Sequence, residues 1–220
     1  MSRLDLLTTV HKGIRAMIYE TGGALQTADF ADEQAAGRAA DRMQPFLGLL
    51  QEHHHNEEQF LFPPVKQFEP QLVDELEAQH HEVERLLEIV SGALDGARAA
   101  DAGARLGAGA DLNRRFNELT AVFLEHLAYE EATLIPATWK HFTDEELGAI
   151  EESVVASMPP ESLMQVVEWM FKGLNRTELV EILGDAEATM PPPALDAVKA
   201  LGAEILAPDV WEAVRTQVGL

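Results

Sequence analysis

The stretch His53-His54-His55-Asn56-Glu57-Glu58-Gln59-Phe60-Leu61-Phe62-Pro63 is answered later by His126-Leu127-Ala128-Tyr129-Glu130-Glu131-Ala132-Thr133-Leu134-Ile135-Pro136. Both share the skeleton H-x3-E-E-x2-L-[FI]-P. On a helix, residues four apart stack on one face, one turn above the other. Each copy therefore offers one imidazole and one carboxylate toward a common point, and two such faces turned toward one another make a metal site. The second copy sets the register within the triple histidine. His126 precedes Pro136 by the same interval as His53 precedes Pro63, which pairs His53 with Glu57 rather than His54 with Glu58. Glu58 and Glu131 are then outer or solvent-facing positions, and loss of His53 is expected to cost far more bound metal than loss of His54.

Working outward, the chain reads as helices. From Leu4 to Ala28, Leu6, Leu7, Val10, Ile14, Met17, Ile18 and Leu25 recur at three- and four-residue steps, with His11 on the same face. Capping residues at Thr27–Asp32 mark a turn. A second helix carries Met43, Phe46, Leu47, Leu50 and the first motif, with Pro45 kinking it or marking its start and Pro63-Pro64 stopping it. A third runs from about Pro70 to Leu94 with His80 and His81 inside it. After the glycine- and alanine-rich stretch Gly96–Gly109, a fourth carries Leu112, Phe116, Leu119, Phe123, His126, Glu130 and Leu134 and ends near Trp139 and His141. No stretch alternates with a period of two, so no sheet is expected.

Helices rise equally per residue, so histidines at one level of an up-and-down bundle must have a turn midway between them. The midpoints between His11, His53, His80 and His126 fall in the segments Asp29–Asp32, Val65–Phe68 and Ala102–Gly107, each already read as a turn from composition. The chain is thus expected to be all-α, an up-down-up-down antiparallel four-helix bundle over residues 1–141 with a helical extension over 142–220. The offsets from His53 to His126 and from His11 to His80 are similar, so helices one and two look like a hairpin duplicated as helices three and four.

Composition removes most other chemistries. With 16 basic and 38 acidic residues the formal charge is −22, which repels phosphate backbones and anionic membrane surfaces, so neither nucleic acid nor membrane is expected as a partner. No cysteine is present, so any metal must be held by nitrogen and oxygen. The polar start Met1-Ser2-Arg3-Leu4-Asp5 and the lack of any long apolar run make a cytoplasmic protein the expectation. Seven of the eight histidines lie within the first 126 residues at the motif positions, a distribution that a solvated face does not predict. The inward set is His11, His53, Glu57, His80, His126 and Glu130: four imidazoles and two carboxylates, a donor mix that suits iron, manganese or zinc over calcium. Leu61, Phe62, Leu134 and Ile135 are read as core packing.

These residues resemble the hemerythrin-like, HHE cation-binding family over residues 4 to 141. The matching elements are His11 with Arg15, His53-x3-Glu57-Glu58 with Leu61-Phe62-Pro63, His80 followed by Leu86-Leu87, and His126-x3-Glu130-Glu131 with Leu134 and Pro136. The resemblance implies a non-haem centre of two iron ions, bridged by the two glutamates and completed by histidines. Its implied roles are binding or sensing oxygen, nitric oxide or redox state. Oxidase, peroxidase or nitric oxide chemistry and iron sensing are the alternatives. Oxygen-carrying hemerythrins place a second histidine four residues after that of helix three. Here Glu84 stands at that position, so the site either takes Glu84 as a ligand or leaves more positions open. The pattern looks closer to bacterial proteins linked to iron–sulfur repair and nitric oxide, whose cysteine-bearing segment has no counterpart in this sequence.

From Phe142 onward histidine disappears and acidic residues dominate. Met158-Pro159-Pro160 returns as Met190-Pro191-Pro192, and Phe142-Thr143-Asp144, Leu174-Asn175-Arg176 and Leu206-Ala207-Pro208 open corresponding helices at steps of 32. This extension is expected to cover the bundle, or to form a homodimer or protein-partner surface through Trp169, Met170 and Trp211.

Overall fold

The computed structural model describes residues 3–220; Met1 and Ser2, part of the expected first segment, lie outside the described residues. The protein is all-α, with no strand among the described residues. Its helices are α1 (Thr8–Thr27), α2 (Glu33–Asn56), a π-helical turn (Glu57–Leu61), α3 (Phe62–Lys66), α4 (Pro70–Ala99) and α5 (Arg105–His141). They are followed by α6 (Asp144–Ser157), α7 (Pro160–Gly173), α8 (Arg176–Thr189), α9 (Pro192–Ile205) and α10 (Pro208–Val218).

The turns at 28–32, 67–69 and 100–104 fall where the histidine midpoints place them. The stop expected at Pro63-Pro64 differs, while α5 ends at His141 as expected. Proline inside a helix removes one hydrogen bond and clashes with the carbonyl four residues back, yet Pro45 and Pro136 both lie inside continuous helices. Pro63 and Pro64 occupy the first turn of α3, where a missing N–H costs nothing. The π-helical turn just before them accommodates the change: the Phe62 N–H reaches back five residues to Glu57 O, and the rod continues.

Contacts group the chain into two units. The first comprises the residues up to Leu7 together with Met17–Ser157. Within it, α4 packs along α2 and α5; Met43, Phe46, Leu50, Leu87, Val90, Leu94, Leu112 and Phe116 are buried, and the rings of Phe46 and Phe116 lie 5.2 Å apart. A second apolar cluster joins Leu7, Leu61, Phe62, Val65, Val73, Leu76, Leu134 and Ile135, so the four residues following the motif glutamates do pack as core. Phe142 and Ile150 lean on that cluster, and Leu147 is fully buried. Helix α6 groups with this first unit. The Arg3 guanidinium donates to the carbonyls of Trp139 and Phe142 and pairs with Asp144, satisfying orphan carbonyls at the C-terminal end of α5.

Close approach dictates a glycine at 109. A Cβ there would sit 2.1 Å from Cγ of Phe30, whose ring is buried. Gly109→Ala is expected to force that ring outward and cost about 1–3 kcal/mol, read as a lowered denaturant midpoint.

The second unit comprises Thr8–Ala16 and Met158–Leu220. Its core is Phe171, Leu174, Leu179, Leu183, Val198 and Val214, with Met170 and Trp211 packed against it. Asn175 and Glu178 form a reciprocal capping box that starts α8, while prolines in the first turn start α7, α9 and α10. Helices α6, α8 and α10 open at Asp144, Arg176 and Pro208, in step with the sequence period.

Candidate metal centre

Each predicted donor sits where its helix must turn it inward. His53 closes α2 and Glu57 opens the π-helical turn; His80 lies mid-way along α4; His126 and Glu130 lie one turn apart on α5. All five belong to the first unit and all are buried, His80 and Glu130 with no exposed surface. His11 lies outside this unit, on the Thr8–Ala16 part of α1, and is also fully buried. His81 is exposed, with Nδ1 turned to the Glu77 carbonyl, whereas His80 is fully buried.

The distances define a shared arrangement. Glu57 Oε1 lies 3.4 Å from His53 Nε2, and its other oxygen, Oε2, lies 3.5 Å from His80 Nε2. Glu130 Oε2 is 3.3 Å from His126 Nε2, and Oε1 is 4.0 Å from His80 Nε2. The two oxygens of each carboxylate therefore face different imidazoles, Glu57 between His53 and His80 and Glu130 between His126 and His80. Glu57, His80, His126 and Glu130 offer four donor atoms within 4.8 Å of one another.

The far sides of the rings are held. His80 Nδ1 lies 2.8 Å from Glu58 Oε1, and His126 Nδ1 lies 3.0 Å from Gln79 Oε1. A hydrogen bond at Nδ1 fixes the ring and leaves the Nε2 lone pair for a metal. Glu58, read from sequence as an outer residue, orients His80.

Two features depart from expectation. Glu84 is exposed and takes no part in the cluster. His54, read as pointing away, is 2% exposed and lies flat between two rings: His80 at a centroid distance of 3.8 Å and Phe123 at 5.2 Å. Successive helix residues are about 100° apart, so His53 and His54 both turn inward only because the buried stripe of α2 is wide. The sequence did hold a signal for it. In the second copy the matching position is Leu127, a fully buried apolar residue, so that position faces the interior in both copies.

The electrostatics are those of a site that needs cations. Burial pushes the Glu130 carboxyl well above the usual carboxylate range, and the charges of Glu57 and Glu131 push it further. Burial drives His54 down, helped by His80, so its ring is neutral. Burial also works to lower His80, but the carboxylates of Glu57 and Glu58 outweigh it and the net shift is upward. Neither ring nitrogen of His54, nor Nε2 of His80, makes a hydrogen bond. A buried polar group left unsatisfied costs about 1–3 kcal/mol, so imidazole nitrogens without hydrogen bonds gathered around two carboxylates fit a metal ion.

Fold and donor set together define a metal-binding helical protein, its site built from buried imidazoles and carboxylates. The chain belongs to the hemerythrin family: the profile described as Hemerythrin HHE cation binding domain matches residues 2–138, more than half of its length. No curated protein and no solved structure matches the chain. The family match ends within α5 and leaves α6–α10 outside it.

Proposed function

We propose that the protein is a cytoplasmic non-haem di-iron protein that binds or senses oxygen, nitric oxide or a change of redox state. In this reading the histidine-bearing helices form an up-down-up-down bundle. Glu57, His80, His126 and Glu130 would hold one ion, and His53, with the His11 that the sequence pattern adds, would complete a second that shares the two glutamates. The observation that carries the reading is Glu57, whose two oxygens are directed at His53 and at His80. Imidazole with carboxylate favours iron, with manganese or zinc as competitors for the same donors. A bound iron pair supplies redox activity and coordination positions for a small ligand. The protein's own residues hold the donors in place: Glu58 and Gln79 fix the rings of His80 and His126, and the cluster around Phe62 and Leu134 keeps bulk water away. No helix among the described residues is long and apolar enough to cross a membrane.

Metal analysis after anaerobic loading with ferrous iron is expected to find about two ions per chain. Ultraviolet–visible spectra of the reduced protein exposed to oxygen, peroxide and nitric oxide then separate the roles. A band that forms and reverses supports binding or sensing, while turnover of any of the three assigns an enzyme instead. Failure to retain metal at all defeats the proposal.

A further inference from the structure

We infer that helix α6, acting through Ile150, positions the carboxylates of the metal centre by holding the π-helical turn in shape, so that occupancy of the centre and docking of α6 are linked. The inference rests on the metal-centre reading above and concerns a helix that lies beyond the family match. The turn Glu57–Leu61 has a different task at each end. At its start, Glu57 directs Oε2 at His80 Nε2 and Glu58 holds His80 Nδ1, so consecutive glutamates grip one ring from two sides. At its end, Leu61 is buried in the cluster with Phe62 and Val65, and Phe142 and Ile150 lean on that cluster. Helix α6 packs on the turn itself, with Leu147 fully buried.

The sequence repeat shows what the turn contributes. The same skeleton in α5 stays α-helical through Pro136, and there the outer ring nitrogen, His126 Nδ1, goes to Gln79 on α4. A π-helical turn spends one more residue than an α-helical one, is rare, and concentrates at functional sites. Reversion of Glu57–Leu61 to α-helix would rotate Glu58 and Leu61 about the axis relative to His53, taking the carboxylate off His80 and the leucine off its cluster. The Glu58 side chain is 40% exposed, so burial does not hold it against His80; the shape of the turn does. Packing at Leu61 and the carboxylates at Glu57 and Glu58 are thus two ends of one short segment, and whatever steadies one end steadies the other. An ion that favours the carboxylate geometry then favours docked α6 by the same factor.

The test is hydrogen–deuterium exchange of the full-length chain, metal-free and saturated with cobalt(II), with calorimetric titration alongside. Cobalt is expected to slow exchange across α6 by ~10-fold or more and to leave residues 105–111, at the opposite end of α5 from Pro136, unchanged. Ile150→Ala is expected to weaken cobalt binding by ~10-fold. Gly109→Ala, which loosens the same unit away from the turn, is expected to lower the denaturant midpoint and keep wild-type cobalt affinity. The exchange measurement needs no variant, so it decides the question even where Ile150→Ala fails to fold. Unchanged exchange in α6 overturns the inference while the metal centre stands. Equal slowing in α6 and residues 105–111, or equal affinity losses in the two variants, does the same, because the metal would then act through global stability. A wild-type chain that binds no cobalt overturns both.

Discussion

Glu130→Gln is expected to abolish the binding of both ions rather than one, and at the same time to leave the metal-free protein more stable than the wild type. The first effect follows from position: Glu130 is fully buried and belongs to both donor sets. An amide has nearly the same shape but carries no charge and offers a single oxygen, so it cannot serve two cations. Affinity is expected to fall by ~100-fold or more for each ion, a loss of about 2.7 kcal/mol apiece. The second effect follows from burial. With its carboxyl held well above the usual range by burial and by Glu57, Glu130 takes up protons more readily folded than unfolded. Stability from this group is therefore present at low pH and is lost as pH rises through the carboxylate range toward the raised value, by up to about 1.4 kcal/mol per pH unit. The variant lacks that slope. Melting curves of the metal-free proteins across pH 4–8 check the sign: a wild type that gains on the variant as pH rises would contradict the buried pairing of Glu57 with Glu130.

The same residues show how far the sequence could be read. The period of apolar positions and the midpoints between histidines located α1, α2, α4 and α5 and their turns, because helix rise is uniform and needs no tertiary information. The repeated H-x3-E pattern brought out His53, Glu57, His126 and Glu130, and the single apolar stripe of α4 brought out His80. What the pattern concealed depends on local helix geometry. Prolines were read as stops because an ideal α-helix rejects them, but the π-helical turn at Glu57–Leu61 leads into Pro63-Pro64 without ending the rod. No such turn interrupts α5, so the two copies are alike in sequence and unlike in backbone. His54 was missed by assigning one inward residue per turn, where a wide buried stripe admits two. Glu84 was a candidate only by its spacing from His80, and that spacing places it in solvent. A change in composition at Phe142 carries no packing information, so the contact of Phe142 and Ile150 with the cluster around Phe62 and Leu134 was not legible in the sequence.

Gly173→Ala is expected to be the most damaging small substitution in the second unit. A Cβ at 173 would lie 2.4 Å from the carbonyl oxygen of Lys12 and 2.9 Å from the backbone nitrogen of Gly13. Reciprocally, a Cβ at Gly13 would lie 2.8 Å from the backbone nitrogen of Met170. The start of α1 and the end of α7 thus meet backbone to backbone, with Lys12 ion-paired to Glu178 beside the crossing. Replacing a helical glycine by alanine ordinarily gains about 0.5–1 kcal/mol from reduced chain entropy. Here the added methyl meets main chain, which cannot rotate aside, and overpacking of this kind costs about 1–3 kcal/mol, so the penalty wins. The melting temperature is expected to fall by several degrees. Gly23→Ala on the same α1 is the control: nothing lies within 4 Å of its Cβ, and it is expected to be neutral or stabilising. Unchanged melting would mean that the two backbones are not in contact.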